Sequence, residues 1–320
     1  MKTIVLIPIK NEEWILEQTL KNISSMVDFI IIADQRSTDR SLEICKQFPK
    51  VKVINNSFES HSNKIRWLLL DEARKIDGNN LIICLDADEL LPPSAFKEIN
   101  ESINSGKAKI GDTFSFNWIQ LWKSVRKYRI DNPWKNNQKK IAFWDDRKNE
   151  YKKIYIINDH TSRIPDLYPT DNYLVFTPLL HFQFVAFEKA QMKQAWYRCS
   201  ELINNNDVRK INLRYLVSKE KQGIRVSETK KDWFNGLDID EEKITNAQDD
   251  SKLKEIIDWF NKYGIGFFEG LDIWDIKELN EEFIKRMERK PNPKKFPDWL
   301  IKLNNVRNVI KNKYIKWIKK

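Results

Sequence analysis

The stretch LIICLDADEL, residues 81–90, decides how the chain folds. Its opening run of Leu, Ile, Ile, Cys and Leu is that of a strand covered on both faces. Three carboxylates, Asp86, Asp88 and Glu89, then arrive within four positions. Standing alone, such acids are those of a solvated turn or a helix cap. The strands that precede them change that reading.

Before this stretch the chain alternates. TIVLIPI (3–9) and DFIIIAD (28–34) are strand-like, NEEWILEQTLKNI places Trp14, Leu16, Leu20 and Ile23 near helical spacing, and STDRSLEICKQF opens on helix-capping residues. VKVI (51–54) is a further strand, and HSNKIRWLLLDEARKI (61–76) a further helix. Four strands with three intervening helices predict an α/β domain with a mostly parallel sheet flanked by helices. Ligands of such sheets bind beyond the carboxyl ends of the strands. A helix is expected over about 93–105, followed by a mixed, Trp-rich stretch to about 184. From about Phe187 the pattern is helical, which divides the chain into 1–187 and a mainly helical 188–320.

Composition narrows the function. The chain has 320 residues, 41% hydrophobic and 32% charged, with no apolar run long enough for a bilayer. MKTIVLIPIK lacks the long apolar region and cleavage site of a signal peptide, so it is expected to be a first strand of a cytoplasmic protein. Cys45, Cys84 and Cys199 are odd in number and widely spaced, and are expected to be reduced thiols. Of the net charge of +10, residues 290–320 carry +9, with ten Lys/Arg against Asp298. Charge confined to one tail argues against a nucleic-acid partner.

Three successive strand ends present polar groups: PIKNEE, IIIADQRSTD and LDADEL. Asp86 and Asp88, separated by Ala87, need not duplicate each other. One could then reach a ribose or a metal-bound water while the other ligates Mg2+ or Mn2+. The first glycine is Gly78, so the turn after the first strand is neither a dinucleotide fingerprint nor a phosphate-binding P-loop. YGIGFFEG (263–270) follows an expected helix and is a helix stop and turn.

IPIKNEE, ADQRSTD and LDADEL, in this order and at these spacings, resemble the signatures of glycosyltransferase family 2, most closely over residues 1–105 and more weakly to about 185. The resemblance implies a GT-A fold, Rossmann-like, with a helical C-terminal extension. It also implies a metal-dependent transferase using Mn2+ or Mg2+, with a nucleotide-sugar donor, a UDP-sugar being expected. The acceptor would be a glycan or a lipid-linked molecule in the synthesis of cell-surface polysaccharide or glycoconjugate. Carried over by position, Pro8, Asn11, Glu12, Asp34 and Asn63 would line the nucleotide-sugar pocket, and Asp86 and Asp88 would bind the cation that bridges the diphosphate. The basic residue that precedes the family's Asn does not sit in its usual place, where Ser62 stands, with His61 before it and Lys64 after Asn63. A nucleotidyltransferase would need a Gly-rich basic loop after the first strand, which Lys10-Asn11-Glu12 does not supply. A non-catalytic binder would not need the acids.

The three histidines each adjoin a stretch of interest. For His181, in TPLLHFQF, two readings stay open: a further metal ligand, as the resemblance implies, or a buried packing residue. In INDHTSRIP the resemblance implies a base that takes the acceptor hydroxyl's proton. The family's His-Glu order is absent, so Asp159 is the first candidate and His160 the second, with Asp145 and Asp146 as outsiders. Trp118, Trp122, Trp134 and Trp144 fall where an acceptor site is expected, since aromatic faces stack on sugar rings. At the end, Trp299, Leu303, Val306, Ile310, Tyr314 and Trp317 form one apolar helical stripe among seven Lys/Arg. Such a helix either lies on an anionic membrane surface, which would place the protein at the inner face of the membrane, or packs on the body.

Overall fold

The computed structural model describes residues 1–56, 64–150, 162–165, 171–204, 207–219, 224–248 and 250–294. The chain forms two compact units, Met1–Phe187 with Gly223–Ala247, and Glu188–Gln222 with the chain from Gln248.

The first unit begins as the alternation dictates: β1 (Thr3–Ile9), α1 (Glu13–Ser24), β2 (Phe29–Asp34), α2 (Ser41–Cys45), β3 (Val51–Asn55), α3 (Ile65–Ala73) and β4 (Leu81–Cys84). A two-residue β5 (Glu89–Leu90), α4 (Pro93–Asn104), β6 (Thr113–Gln120), β7 (Lys127–Arg129), β8 (Gln138–Trp144) and β9 (Asn172–His181) follow. The eight-stranded sheet has the order β3-β2-β1-β4-β8-β6-β9-β5. β3, β2, β1 and β4 are mutually parallel, β8 runs antiparallel to both β4 and β6, and β9 returns parallel to β6. The sheet is therefore mixed, mostly parallel, and flanked by helices.

Burial on both faces explains the continuous apolar strands. Along β1, Val5, Ile7 and Ile9 pack with Leu16, Leu20 and Ile23 of α1. Ile4 and Leu6 pack on the opposite face with Ile65, Leu69 and Leu70 of α3. Each of these residues is at most 4% exposed, so each contributes about 1.5–3 kcal/mol of burial. All three cysteines are buried with free thiols, and burial pushes the Cys45 thiol up to about 12.

A later segment closes on α1. Gln18 Oε1 accepts from Asp240 N–H (2.8 Å), and Asn22 exchanges two bonds with the Asp238 backbone (2.7 and 2.8 Å). These bonds satisfy two polar side chains that would otherwise be costly within a helix packed on the core.

The second unit is helical. α5 (Phe187–Ile203) leads into it, and α6 (Val208–Arg214) belongs to it; β10 (Val226–Glu228), paired with β7, and α7 (Glu241–Thr245) belong to the first unit; α8 (Asp250–Tyr263) and α9 (Lys277–Met287) complete the second. Its core gathers Cys199, Leu202, Ile211, Phe260, Phe268, Trp274, Leu279 and Phe283. Gly264, at φ +80°, stops α8 and passes into a 3-10 turn over Ile265–Phe268.

Asp145, at the end of β8, accepts two bonds from Arg74, at 2.8 and 2.9 Å, and its side chain is 3% exposed. It joins β8 to the end of α3 and is a structural residue. Asp145→Ala leaves the Arg74 charge half-satisfied, and urea unfolding should show a loss of about 3 kcal/mol. Unchanged stability would contradict this role.

Candidate active site

β1 and β4 part company at the edge where their loops emerge. Their pairing ends at Leu6↔Cys84, whereas β1 continues beside β2 to Ile9↔Asp34. Pro8, which has no N–H to give, sits where β4 has already departed. The order β3-β2-β1-β4 reverses direction at this point, which makes it the sheet's topological switch point.

The loops after β1 and β2 are stitched to each other. Asn11, in the left-handed region at φ +56°, accepts from Thr38 N–H (2.8 Å) through its side chain and donates its own N–H to Ser37 Oγ (2.9 Å). Glu12 N–H donates to Ser41 Oγ (2.9 Å), and Glu12 Oε2 accepts from Trp14 Nε1 (2.7 Å). Both oxygens of Asp34 face Ser37 N–H at 3.2 Å. The structure thus brings Pro8, Asn11, Glu12 and Asp34 to one edge, where Asn11 and Asp34 also hold the loops in shape.

The acids after β4 lie in a turn and not in an extended segment. Glu89 N–H donates to Asp86 C=O (3.1 Å), and Asp86 N–H returns a bond to Glu89 Oε2 (3.1 Å). This turn sends the chain into β5, where Glu89 lies opposite His181 of β9. Glu89 is fully buried, and Trp118 Nε1 donates to its Oε1 (2.7 Å).

Asp86 sits between two guanidinium groups. Arg66 Nη2 donates to Oδ1 (2.6 Å) and Arg163 Nη2 to Oδ2 (2.5 Å), while Arg163 Nη1 donates to Glu89 Oε2. Burial pushes the Asp86 carboxyl up, but Arg163 and Arg66 outweigh it and hold the group well below the usual carboxylate range. The pairing raises Arg163 against the opposing effect of its own burial. Burial, with Arg163 nearby, lowers the Lys139 ammonium, partly offset by Glu89 and Asp86.

Asp88 and His181 face each other, with Oδ2 and Nε2 3.4 Å apart and both side chains buried. Gln120 assigns the tautomer. Its Nε2 donates to Leu121 C=O (3.0 Å), so its Oε1 is the atom 2.6 Å from His181 Nδ1 and accepts from Nδ1–H. His181 Nε2 is then the ring nitrogen that faces a carboxylate oxygen. Two acceptors at this distance need a proton or a cation between them. Adjacent ligands of a six-coordinate Mg2+ lie about 3 Å apart, and a His whose other nitrogen is held by a carbonyl-type acceptor is how proteins present a metal ligand. The pair fits a cation whose remaining positions are filled by other oxygens. Among the described residues no cluster of three or more His, Cys, Asp or Glu could hold a metal ion.

Trp118 stacks on the His181 ring (4.5 Å between centroids) and on Trp134 (5.7 Å), so two of the four tryptophans adjoin the site. Trp144 instead donates to Asn79 C=O, and Trp122 packs with Phe184. Asn63, with His61, and Asp159 and His160 lie outside the described residues. Arg66, Arg163 and Gln120 were not anticipated: Arg66 reads as a polar position of a helix, and the Arg163–Asp86 contact spans 77 residues.

Residues 4–159 match the sequence model of Glycosyl transferase family 2. No curated protein matches the chain. Among solved structures, S. aureus TarS 1–349 in complex with UDP-GlcNAc is 18% identical, with a TM-score of 0.30 over 38% of this chain and 34% of that one. Glucosyl-3-phosphoglycerate synthase from Mycobacterium tuberculosis, in complex with Mn2+, UDP and glucosyl-3-phosphoglycerate, is 17% identical, with a TM-score of 0.28 over 38% and 43%. 4-Diphosphocytidyl-2C-methyl-D-erythritol synthase is 17% identical, with a TM-score of 0.30 over 44% and 72%. The chain spans about a third of the TarS chain and under half of the mycobacterial synthase. Likenesses this slight support no further step.

Gln120→Leu removes the acceptor that fixes the His181 tautomer. Calorimetric titration with Mn2+ in the presence of UDP should show affinity reduced roughly tenfold or more. Wild-type affinity in this variant would mean that Gln120 does not orient the ring for a cation.

Proposed function

Proceeding from the family 2 match over residues 4–159, we propose that the chain is a GT-A glycosyltransferase that moves a sugar from a nucleotide-diphosphate donor, a UDP-sugar, to a hydroxyl of a glycan or lipid-linked acceptor in cell-surface polysaccharide or glycoconjugate synthesis. The observation that carries this reading is the Asp88–His181 pair, two facing acceptors 3.4 Å apart, beside the turn that leaves β4 at the switch point.

In this reading Asp88 and His181 hold Mn2+ or Mg2+, and Gln120 keeps Nε2 available to it. The cation supplies positive charge to the departing diphosphate. Pro8, Asn11, Glu12, Asp34 and Asn63 surround the nucleoside. Asp86, engaged by Arg66 and Arg163, serves the nucleotide-sugar side of the site and is the reserve ligand for the cation. If the enzyme inverts, the acceptor oxygen attacks the anomeric carbon as its bond to the diphosphate oxygen breaks, and the hydroxyl proton passes to Asp159, or to His160. The stacked Trp118 and Trp134 offer an aromatic face to the acceptor next to His181.

Among the described residues no helix is long and apolar enough to cross a membrane. The basic amphipathic stretch near the end, outside the described residues, would bring the enzyme to an anionic membrane surface where a lipid-linked acceptor resides. Flotation with anionic liposomes should weaken when residues 298–320 are removed; unchanged flotation would end this part of the reading.

The central test is differential scanning fluorimetry with a panel of nucleotide sugars, with and without Mn2+, followed by turnover of the donor that stabilises the fold. Asp88→Asn should lower metal-dependent turnover by at least about 100-fold while the protein stays folded. Undiminished turnover in Asp88→Asn, or in excess EDTA, would remove the cation from the mechanism.

A further inference from the structure

Asp86 lies two residues from Asp88, yet the structure treats the two acids oppositely. Asp88 meets an imidazole nitrogen, whereas both Asp86 oxygens accept from guanidinium groups at 2.5 and 2.6 Å. We propose that Arg163, acting with Arg66, withholds Asp86 from the divalent cation, so that among the described residues the donor-free chain offers a cation only Asp88 and His181. Tight cation binding then requires the diphosphate. This rests on the glycosyltransferase reading, which supplies the cation and the anion.

Three observations carry it. First, Arg163 is fixed: its second nitrogen donates to Glu89, a fully buried carboxylate that Trp118 Nε1 also holds. Asp86 therefore cannot turn toward a cation without giving up the bond it accepts from Arg163. Second, the charges of the described residues balance. Arg66, Arg163 and Lys139 stand against Asp86, Asp88 and Glu89, all at this one site. A neutral cluster draws a lone dication weakly, whereas a dication and a doubly charged diphosphate cancel each other. Third, Arg66 Nη1 is buried and has no hydrogen-bond partner among the described residues. A buried guanidinium donor left unmatched is unfavourable, and an oxygen of an incoming anion would satisfy it. Arg66 and Arg163 are thus positioning residues that make the cation and the anionic ligand depend on each other.

The test measures Mn2+ binding to the full chain by electron paramagnetic resonance of free Mn2+, with and without UDP. Donor-free Arg163→Gln should bind Mn2+ at least about tenfold more tightly than wild type, because one Asp86 oxygen is released and one positive charge removed. Adding Asp86→Asn to that variant should return the affinity to the wild-type level. In the wild type, UDP should tighten Mn2+ binding by a similar factor. Arg66→Gln, which releases the other oxygen, provides the same comparison if Arg163→Gln does not fold.

Affinity in Arg163→Gln no higher than wild type overturns the proposal. So does a gain that survives Asp86→Asn, since it would then not come from the released Asp86 carboxylate. Sugar-transfer assays separate the two readings: turnover without the gain counts against the arginines' role alone, and the gain without turnover of any nucleotide sugar counts against the transferase reading alone.

Discussion

The separation of β1 from β4 is the constraint on which the rest of the site depends. A parallel sheet that adds β2 and β3 on one side of β1 and β4 on the other must open at the carboxyl ends of β1 and β4, because the two chains leave in different directions. Pro8 suits that opening, since a missing N–H costs nothing where no neighbour strand would have accepted it. Asn11, Ser37, Asp39 and Ser41 then tie the loops after β1 and β2 to each other through side chain to backbone bonds. The edge is therefore rigid before any ligand arrives, and rigidity is what a site that positions a charged ligand needs.

Glu89 transmits that rigidity to the far side of the sheet. Its carboxylate accepts from Asp86 N–H, Arg163 and Trp118 Nε1, and its backbone pairs with His181. One buried side chain thus joins the turn after β4, the stretch around Arg163, and the aromatic stack that rests on the imidazole. Burying a carboxylate this deeply is unfavourable unless its oxygens are matched by donors, and here three donors converge on it. The three donors close the Asp86–Glu89 turn and tie it to Trp118 of β6 and to Arg163.

What was legible in the sequence was the part set by periodicity and local chemistry. The apolar runs of β1, β2 and β4 announce burial on both faces, and the polar strand ends announce an edge, because both signals lie within a few residues of each other. Long-range pairing leaves no such mark. Gln18 meets Asp240 across 222 residues and Arg66 meets Asp86 across 20, and nothing near either residue encodes its partner. Gln120 looks like an ordinary strand residue until β9 brings His181 beside it. Asp145 shows the converse: it closes an apolar strand just as Asp86 does, but Arg74 makes it a structural tie.

Asp86 and Asp88, two positions apart, would share one face of a strand, so their different surroundings come from a break in the strand. The chain turns at this point, as the Glu89 N–H to Asp86 C=O bond requires. A continued strand would have set the two carboxylates side by side on one face of the sheet. The turn instead keeps both at the sheet edge, with Asp86 toward Arg66 and Arg163 and Asp88 toward His181. Two carboxylates one residue apart can then do unlike work, one held between guanidinium groups and the other set against an imidazole. A cation and an anion that meet between them would each find an environment that neither acid alone could provide.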